Sequence, residues 1–209
     1  MSRTRIKICG ITRPEDAAEA ARLGADAIGM VFYPPSPRFV GKERAREIAL
    51  ALPPFVAAVG LFLDADPASI ETVLETVPLD LLQFHGRETA AQCAAFGRRY
   101  IKAIPMGDVL DPRGYVEQFE DARGFLMDSN VAGVAGGTGK SFDWARIPSD
   151  LGRPLILAGG LDPGNVAEAV ARVSPYGVDV SSGVESTKGV KDMALIEAFI
   201  RGVSRGESC

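Results

Sequence analysis

The sequence predicts an α/β fold, a single-domain (β/α)8 TIM barrel over residues 1–209, on three observations. Eight short apolar runs recur along the chain with amphipathic segments between them, the pattern of strands buried on both faces of a parallel sheet. Eight units over 209 residues give about 26 residues each, near the lower end of the barrel range of roughly 200 to more than 400 residues. The glycine-rich turns come late, after the sixth, seventh and eighth runs. The alternative, a doubly wound open sheet, needs its glycine-rich phosphate turn after the first strand, and this order excludes it.

The strand candidates, in order, are "IKIC" (6–9), "AIGMVF" (27–32), "VAAVGLFL" (56–63) and "LDLLQF" (79–84). "YIKAI" (100–104), "GFLMD" (124–128), "PLILAGG" (154–160) and "GVDVSSG" (177–183) follow. Helix starts are marked between them. Thr12-Arg13-Pro14-Glu15 fits a capping box with Thr12 at the N-cap, opening "PEDAAEAARLG" (14–24), which Gly24 should stop. "RAREIALAL" (44–52) is an amphipathic outer helix. Asp66-Pro67, Asp111-Pro112 and Asp162-Pro163 each pair an N-cap acceptor with a proline at N1. The sixth unit is weakest, because "SNVAGVAGGTGKSFDW" (129–144) is too rich in glycine to be helical throughout. A short flexible tail is expected from about residue 206.

An apolar fraction of 46% and a charged fraction of 24% are those of a soluble globular protein. A net charge of −4 gives no nucleic-acid footprint, and no apolar stretch is long enough to span a bilayer. The N-terminus lacks the apolar core and cleavage site of a signal peptide. Cys9, Cys93 and Cys209 form no paired or metal-ligand spacing, so a cytoplasmic location is expected, and with one histidine a zinc site is not. "GVAGGTGKS" (133–141) imitates a Walker A loop, but counting back from Gly139 puts Val134 where the first glycine must stand. It reads instead as a mobile active-site loop.

Barrel enzymes carry their chemistry at the C-terminal ends of strands. Alternation turns Lys7 and Cys9 inward in the first strand, Asp128 toward the mouth in the sixth, and Asp179 and Ser181 inward in the eighth. Cys9 on its own reads as a small core hydrophobe. To act as a base it needs a positive neighbour, since a free thiol titrates near 8.5; Lys7 is the candidate, with Asp179 competing for it. "AGG" (158–160) and "SSG" (181–183) offer backbone amides where barrels bind phosphate. Arg38, in the proline-rich "YPPSPRFV" (33–40), is either a carboxylate clasp or a solvated arginine. His85 in "QFHG" is either a pocket residue or a capping group.

Together "KICGIT", "GMVF…SPRFV", "QFHG", "FLMDS", "GGTGKSFDW", "LAGGLDPGNV" and "GVDVSSGVES…KGVKD" closely resemble, in order and over nearly the whole chain, the phosphoribosylanthranilate isomerase family of tryptophan biosynthesis. The resemblance implies a (β/α)8 barrel without metal or organic cofactor. It implies Cys9 as general base, Asp128 as general acid and Arg38 as the binder of the anthranilate carboxylate. Phosphate would fall to the backbone around Gly159, Gly160, Ser182 and Gly183, with His85, Asp179 and Ser181 completing the substrate-binding set. The implied partner is a small phosphorylated substrate, with no nucleic acid or membrane, on a monomer or homodimer. "QFHG" departs from the commoner "QLHG" of that family. Two rivals differ in kind: the related isomerase of histidine biosynthesis, which would show two phosphate regions, and a catalytically silent phosphate-binding barrel.

Overall fold

Eight strands close into a parallel barrel in chain order: β1 Arg5–Cys9, β2 Ala27–Val31, β3 Ala57–Phe62, β4 Leu81–Phe84, β5 Tyr100–Pro105, β6 Phe125–Asp128, β7 Leu155–Leu157 and β8 Gly177–Val180. The structure, a computed structural model, describes residues 3–129, 143–148 and 150–208. Each of the eight apolar runs supplies one strand. The helices outside are α1 Pro14–Leu23, α2 Lys42–Leu50, α3 Pro67–Thr76, α4 Ala90–Ala94, α5 Pro112–Glu117, α6 Val166–Val173 and α7 Met193–Gly206. In the sixth unit the described part is a 3-10 turn, Trp144–Arg146. The expected mobile loop at 133–141 lies outside the described residues.

The period-two pattern sorts the side chains as their chemistry requires. Ile6, Ile8, Ile28, Met30, Phe125, Met127, Val178 and Val180 are buried in the main core cluster, between strands and helices. Phe84 continues an aromatic row, 6.3 Å from Phe62, 6.0 Å from Phe96 and 5.7 Å from Tyr100 by ring centroids. The phenylalanine of "QFHG" is thus a packing choice on the outer face. Lys102 breaks the apolar pattern of β5. It is fully buried, donates to Gly86 O at 2.6 Å and to the Glu88 carboxylate at 2.8 Å, and so ties β5 to the loop after β4.

Helix starts follow the sequence in part. Asp66 and Asp111 cap α3 and α5 by accepting from backbone N–H groups of Ser69, and of Arg113 and Gly114. Gly24 ends α1 in the left-handed region, at φ 115°. The capping box at Thr12 does not form: Arg13 is the N-cap, and the Thr12 hydroxyl donates to Gly189 O at 2.6 Å instead. A longer-range acceptor outcompetes the local one. Asp162 caps only a turn, accepting from Gly164 and Asn165, and α6 begins later, at Val166. Gly206 is buried in α7, and Glu207 accepts from the backbone N–H of Thr4, closing the helix onto the start of β1.

One element is unforeseen. After β8 the chain makes a 3-10 turn, Ser182–Val184, and then a two-stranded antiparallel hairpin, β9 Glu185–Thr187 and β10 Val190–Lys191.

Candidate active site

A pocket opens at the C-terminal ends of the strands. Its empty space is about 710 Å³ counting the open mouth. Its walls bring together Cys9 from β1, Arg38 from the loop after β2, His85 after β4, Asp128 from β6, Gly159 and Gly160 after β7, and Asp179, Ser181 and Ser182 from β8 and its turn. Of the catalytic and substrate-binding residues expected from the sequence, Gly183 stays off the wall, packed so that an added Cβ would lie 2.0 Å from Leu161 O, and Lys7 lies below the wall as well.

Cys9 is 5% exposed and faces Gly29 on β2, where an added Cβ would stand 2.8 Å from its Sγ. Glycine there makes room for the thiol. Gly10, next in the chain, sits at φ +74°, and a Cβ on it would meet Arg38 Cδ at 2.4 Å. The "CG" pair therefore serves two side chains: the thiol points inward, and the Arg38 stem crosses the bare glycine beside it.

Lys7, one inward position below Cys9, donates to Asp179 Oδ1 at 2.9 Å, with both groups buried. Burial alone lowers the Lys7 pKa, but Asp179 and Cys9 outweigh it and the net shift is upward. Burial also pushes Asp179 upward, against the pull of Lys7. Lys7 does pull the Cys9 pKa down, as expected, but it does not prevail and the net shift is upward. Burial raises the thiol pKa, Lys7 opposes it, and Asp179 adds to the rise. The ammonium is shared with Asp179, its register partner on the adjacent strand β8, and burial of the thiol prevails over it.

On the other wall His85 Nε2 lies 3.1 Å from Asp128 Oδ2, and the Gln83 amide nitrogen lies 3.1 Å from His85 Nδ1. In this arrangement Gln83 donates to Nδ1, which places the ring proton on Nε2, facing the carboxylate. Gln83 Oε1 is then a buried acceptor without a hydrogen-bond donor. His85 acts as a pocket residue, not a cap.

Arg38 is neither solvated nor empty-handed. Buried to 7% exposure, it donates through Nε and Nη2 to the two Glu185 oxygens at 2.7 and 2.8 Å. Lys191 Nζ reaches the same carboxylate at 2.9 Å and Ser181 O at 3.0 Å. Burial lowers the Lys191 pKa, with Glu185 opposing. Gln83 on the pocket wall, and Glu185 and Lys191 gathered behind Arg38, are residues that sequence reasoning missed. Their signal was one glutamate and two lysines in an otherwise short-sided "VESTKGVK", and a glutamine at an inward strand position.

Gly159 and Gly160 follow β7 with positive φ, 81° and 67°, a backbone that favours glycine at both positions. Asn165 secures this turn, donating to Gly160 O at 2.8 Å and accepting from Asp162 N–H at 2.9 Å. Among the described residues no group of three His, Cys, Asp or Glu is placed to hold a metal ion, and no helix is long and apolar enough to cross a membrane.

A closed parallel barrel with titratable groups and glycine turns gathered at its C-terminal mouth is the layout of a (β/α)8 barrel enzyme. Comparison with known proteins specifies which. Residues 6–202 match the family model described as N-(5'-phosphoribosyl)anthranilate isomerase. The isomerase of that name from Nitrosococcus oceani is 55% identical over 201 residues, covering 96% of this chain and 98% of that one. The Pseudomonas aeruginosa protein is 56% identical over 203 residues, covering 97% and 96%. Among solved structures, phosphoribosyl anthranilate isomerase from Thermus thermophilus superposes with a TM-score of 0.86 at 37% identity, over 96% of this chain and 98% of that one. An isomerase in complex with reduced 1-(o-carboxyphenylamino)-1-deoxyribulose 5-phosphate gives 0.79 at 38%, over the same shares. The chain belongs to the N-(5'-phosphoribosyl)anthranilate isomerase family.

Proposed function

We infer that this chain converts N-(5-phosphoribosyl)anthranilate to 1-(2-carboxyphenylamino)-1-deoxyribulose 5-phosphate, the Amadori step of tryptophan biosynthesis. The observation that carries the reading is one pocket holding a proton donor and a proton acceptor on different walls, Asp128 and Cys9, with glycine-turn amides and a guanidinium around them. The related isomerase whose structure holds a reduced form of that product supports the choice of substrate.

In the assigned chemistry Asp128 protonates the furanose ring oxygen, and the anilino nitrogen's lone pair expels it, opening the sugar to a Schiff base. Cys9, once ionised, removes the C2′ proton to give an enolamine. Return of a proton to C1′ and loss of the 2′-hydroxyl proton yield the ketone, so atoms and electrons balance without an external redox partner. Acid and base suffice for such steps. His85, bonded to Asp128, orients the acid. The Gly159–Gly160 and Ser181–Ser182 turns take the phosphate through backbone N–H groups, and Arg38 takes the anthranilate carboxylate. Pinning both ends leaves C1′ and C2′ between acid and base. Two free, buried thiols, Cys9 and Cys93, accord with the cytoplasmic location assigned here.

Purified protein should consume the substrate's anthranilate fluorescence with saturable kinetics. A well-folded preparation that leaves the substrate unchanged would sink the assignment.

A further inference from the structure

The guanidinium assigned to the substrate's carboxylate is itself held by a carboxylate, which raises the question of how it attracts another. We infer that Glu185 and Lys191, carried by the β9–β10 hairpin, are a positioning pair that presents Arg38 end-on to the substrate and thereby selects for a carboxylated aromatic ring. The inference rests on the substrate reading above and adds two residues to it.

The geometry carries the argument in three steps. Glu185 occupies the side edge of the guanidinium, Nε and Nη2, in a bidentate contact at 2.7 and 2.8 Å. A guanidinium has five N–H donors, so three remain, both on Nη1 and one on Nη2. These form the end-on fork, which matches a second carboxylate in the same plane. The stem is fixed as well, because it crosses Gly10 where a Cβ would lie 2.4 Å from Arg38 Cδ. Arg38 thus reaches the pocket wall with its rotamer settled, which spares the ordering cost of a free arginine on binding.

Charge is the third step. Arg38 and Glu185 alone make a neutral pair, and a neutral pair in a buried wall would not draw in an anion. Lys191, with a side chain 0% exposed, brings a second cation to Glu185 Oε1 at 2.9 Å. Two cations against one carboxylate leave one net positive charge. The Lys191 ammonium spends its own donors on Glu185, Ser181 O at 3.0 Å and Ser181 Oγ at 3.5 Å, so it neutralises without offering itself to ligand. Because Ser181 begins the turn assigned to phosphate, the same hairpin links the two anion-binding ends of the pocket.

The test compares two substrates, phosphoribosylanthranilate and phosphoribosylaniline, which lacks only the carboxylate. The wild-type protein should prefer the first in kcat/KM. In Glu185→Gln, where one amide oxygen replaces a charged fork, that preference should fall roughly tenfold, through a raised KM for the carboxylated substrate. Turnover of phosphoribosylaniline should fall much less than turnover of phosphoribosylanthranilate. Glu185→Asp, which keeps the charge, should restore part of the preference, and Lys191→Met should lose it by leaving Arg38 and Glu185 neutral together. Circular dichroism of each variant guards the comparison. Equal losses on both substrates, or an unchanged preference in folded Glu185→Gln and Lys191→Met, would overturn the inference and leave the hairpin a structural strap. Wild-type protein inactive on both substrates would instead sink the isomerase reading beneath it.

Discussion

A thiol assigned as base yet held protonated by its surroundings makes a specific demand on kinetics. Since kcat/KM reports ionisations of the free enzyme, the Cys9 environment described above is the relevant one. Burial raises its pKa and Lys7 is engaged with Asp179, so kcat/KM should climb with pH into the alkaline range, with a midpoint above the ordinary thiol value of about 8.5. Cys9→Ser should remove that limb and lower kcat by roughly 10²- to 10⁴-fold, the usual cost of a lost general base. Asp128→Asn should be comparably damaging, because an amide cannot deliver the ring-opening proton. If folded Cys9→Ser kept the wild-type rate and pH profile, Cys9 would be only packing. Cys9, Asp128 and Asp179 are legible in the sequence because a polar side chain at the end of an apolar strand is costly unless used or paired. The direction of the Cys9 shift is not legible, since it depends on whether Lys7 is free, and its partner stands 172 positions away, on the last strand.

The turns and loops at the mouth are secured from outside the pocket. Asn165, absent from the pocket wall, holds the Gly159–Gly160 turn through two hydrogen bonds. Inorganic phosphate should therefore compete with substrate in the wild-type protein and bind about tenfold more weakly to Asn165→Ala, as loss of two bonds worth about 0.5–1.5 kcal/mol each would give if partly shared with water. Purely non-competitive inhibition would move the phosphate elsewhere. The loop bearing His85 depends likewise on the buried Lys102–Glu88 pair, with Glu88 also accepting from the N–H groups of Asp64 and Gly86. Lys102→Met should destabilise the fold by about 3 kcal/mol, because it strands a buried carboxylate; urea denaturation showing less than 1 kcal/mol would make the pair dispensable. Strands and Asp-Pro starts are readable because both are local signals. The failed box at Thr12 and the hairpin at 185–191 are not, because Gly189 lies 177 residues from the hydroxyl it captures.

Across the molecule, the two buried thiols shift stability in one direction as pH rises, while Lys191, whose pKa burial lowers, works the other way. Cys93 is fully buried on the helix-facing side, and burial pushes its pKa up to about 12; Cys9 moves the same way for the same leading reason. For a thiol whose folded pKa exceeds its unfolded value, both states hold the proton below about 8.5, and the stabilising preference for the folded state is then fully present. Above that pH the unfolded chain releases the proton while the folded chain retains it, so stability falls by about 1.4 kcal/mol per pH unit for each such group. Lys7, also raised, adds to the loss only once its unfolded value near 10.4 is reached. Between pH 8.5 and 10 Cys93 should therefore lower the unfolding free energy by about 2 kcal/mol, with Cys9 adding to the decline and Lys191 offsetting part of it. Cys9→Ser and Cys93→Ser each lower stability at neutral pH, by losing packing and burying a hydroxyl, but each should also flatten the decline, and the double variant should nearly abolish it. The slope and not the absolute value is the readout. Urea titrations at half-unit pH steps that gave the double variant the wild-type slope would show that the alkaline loss arises elsewhere.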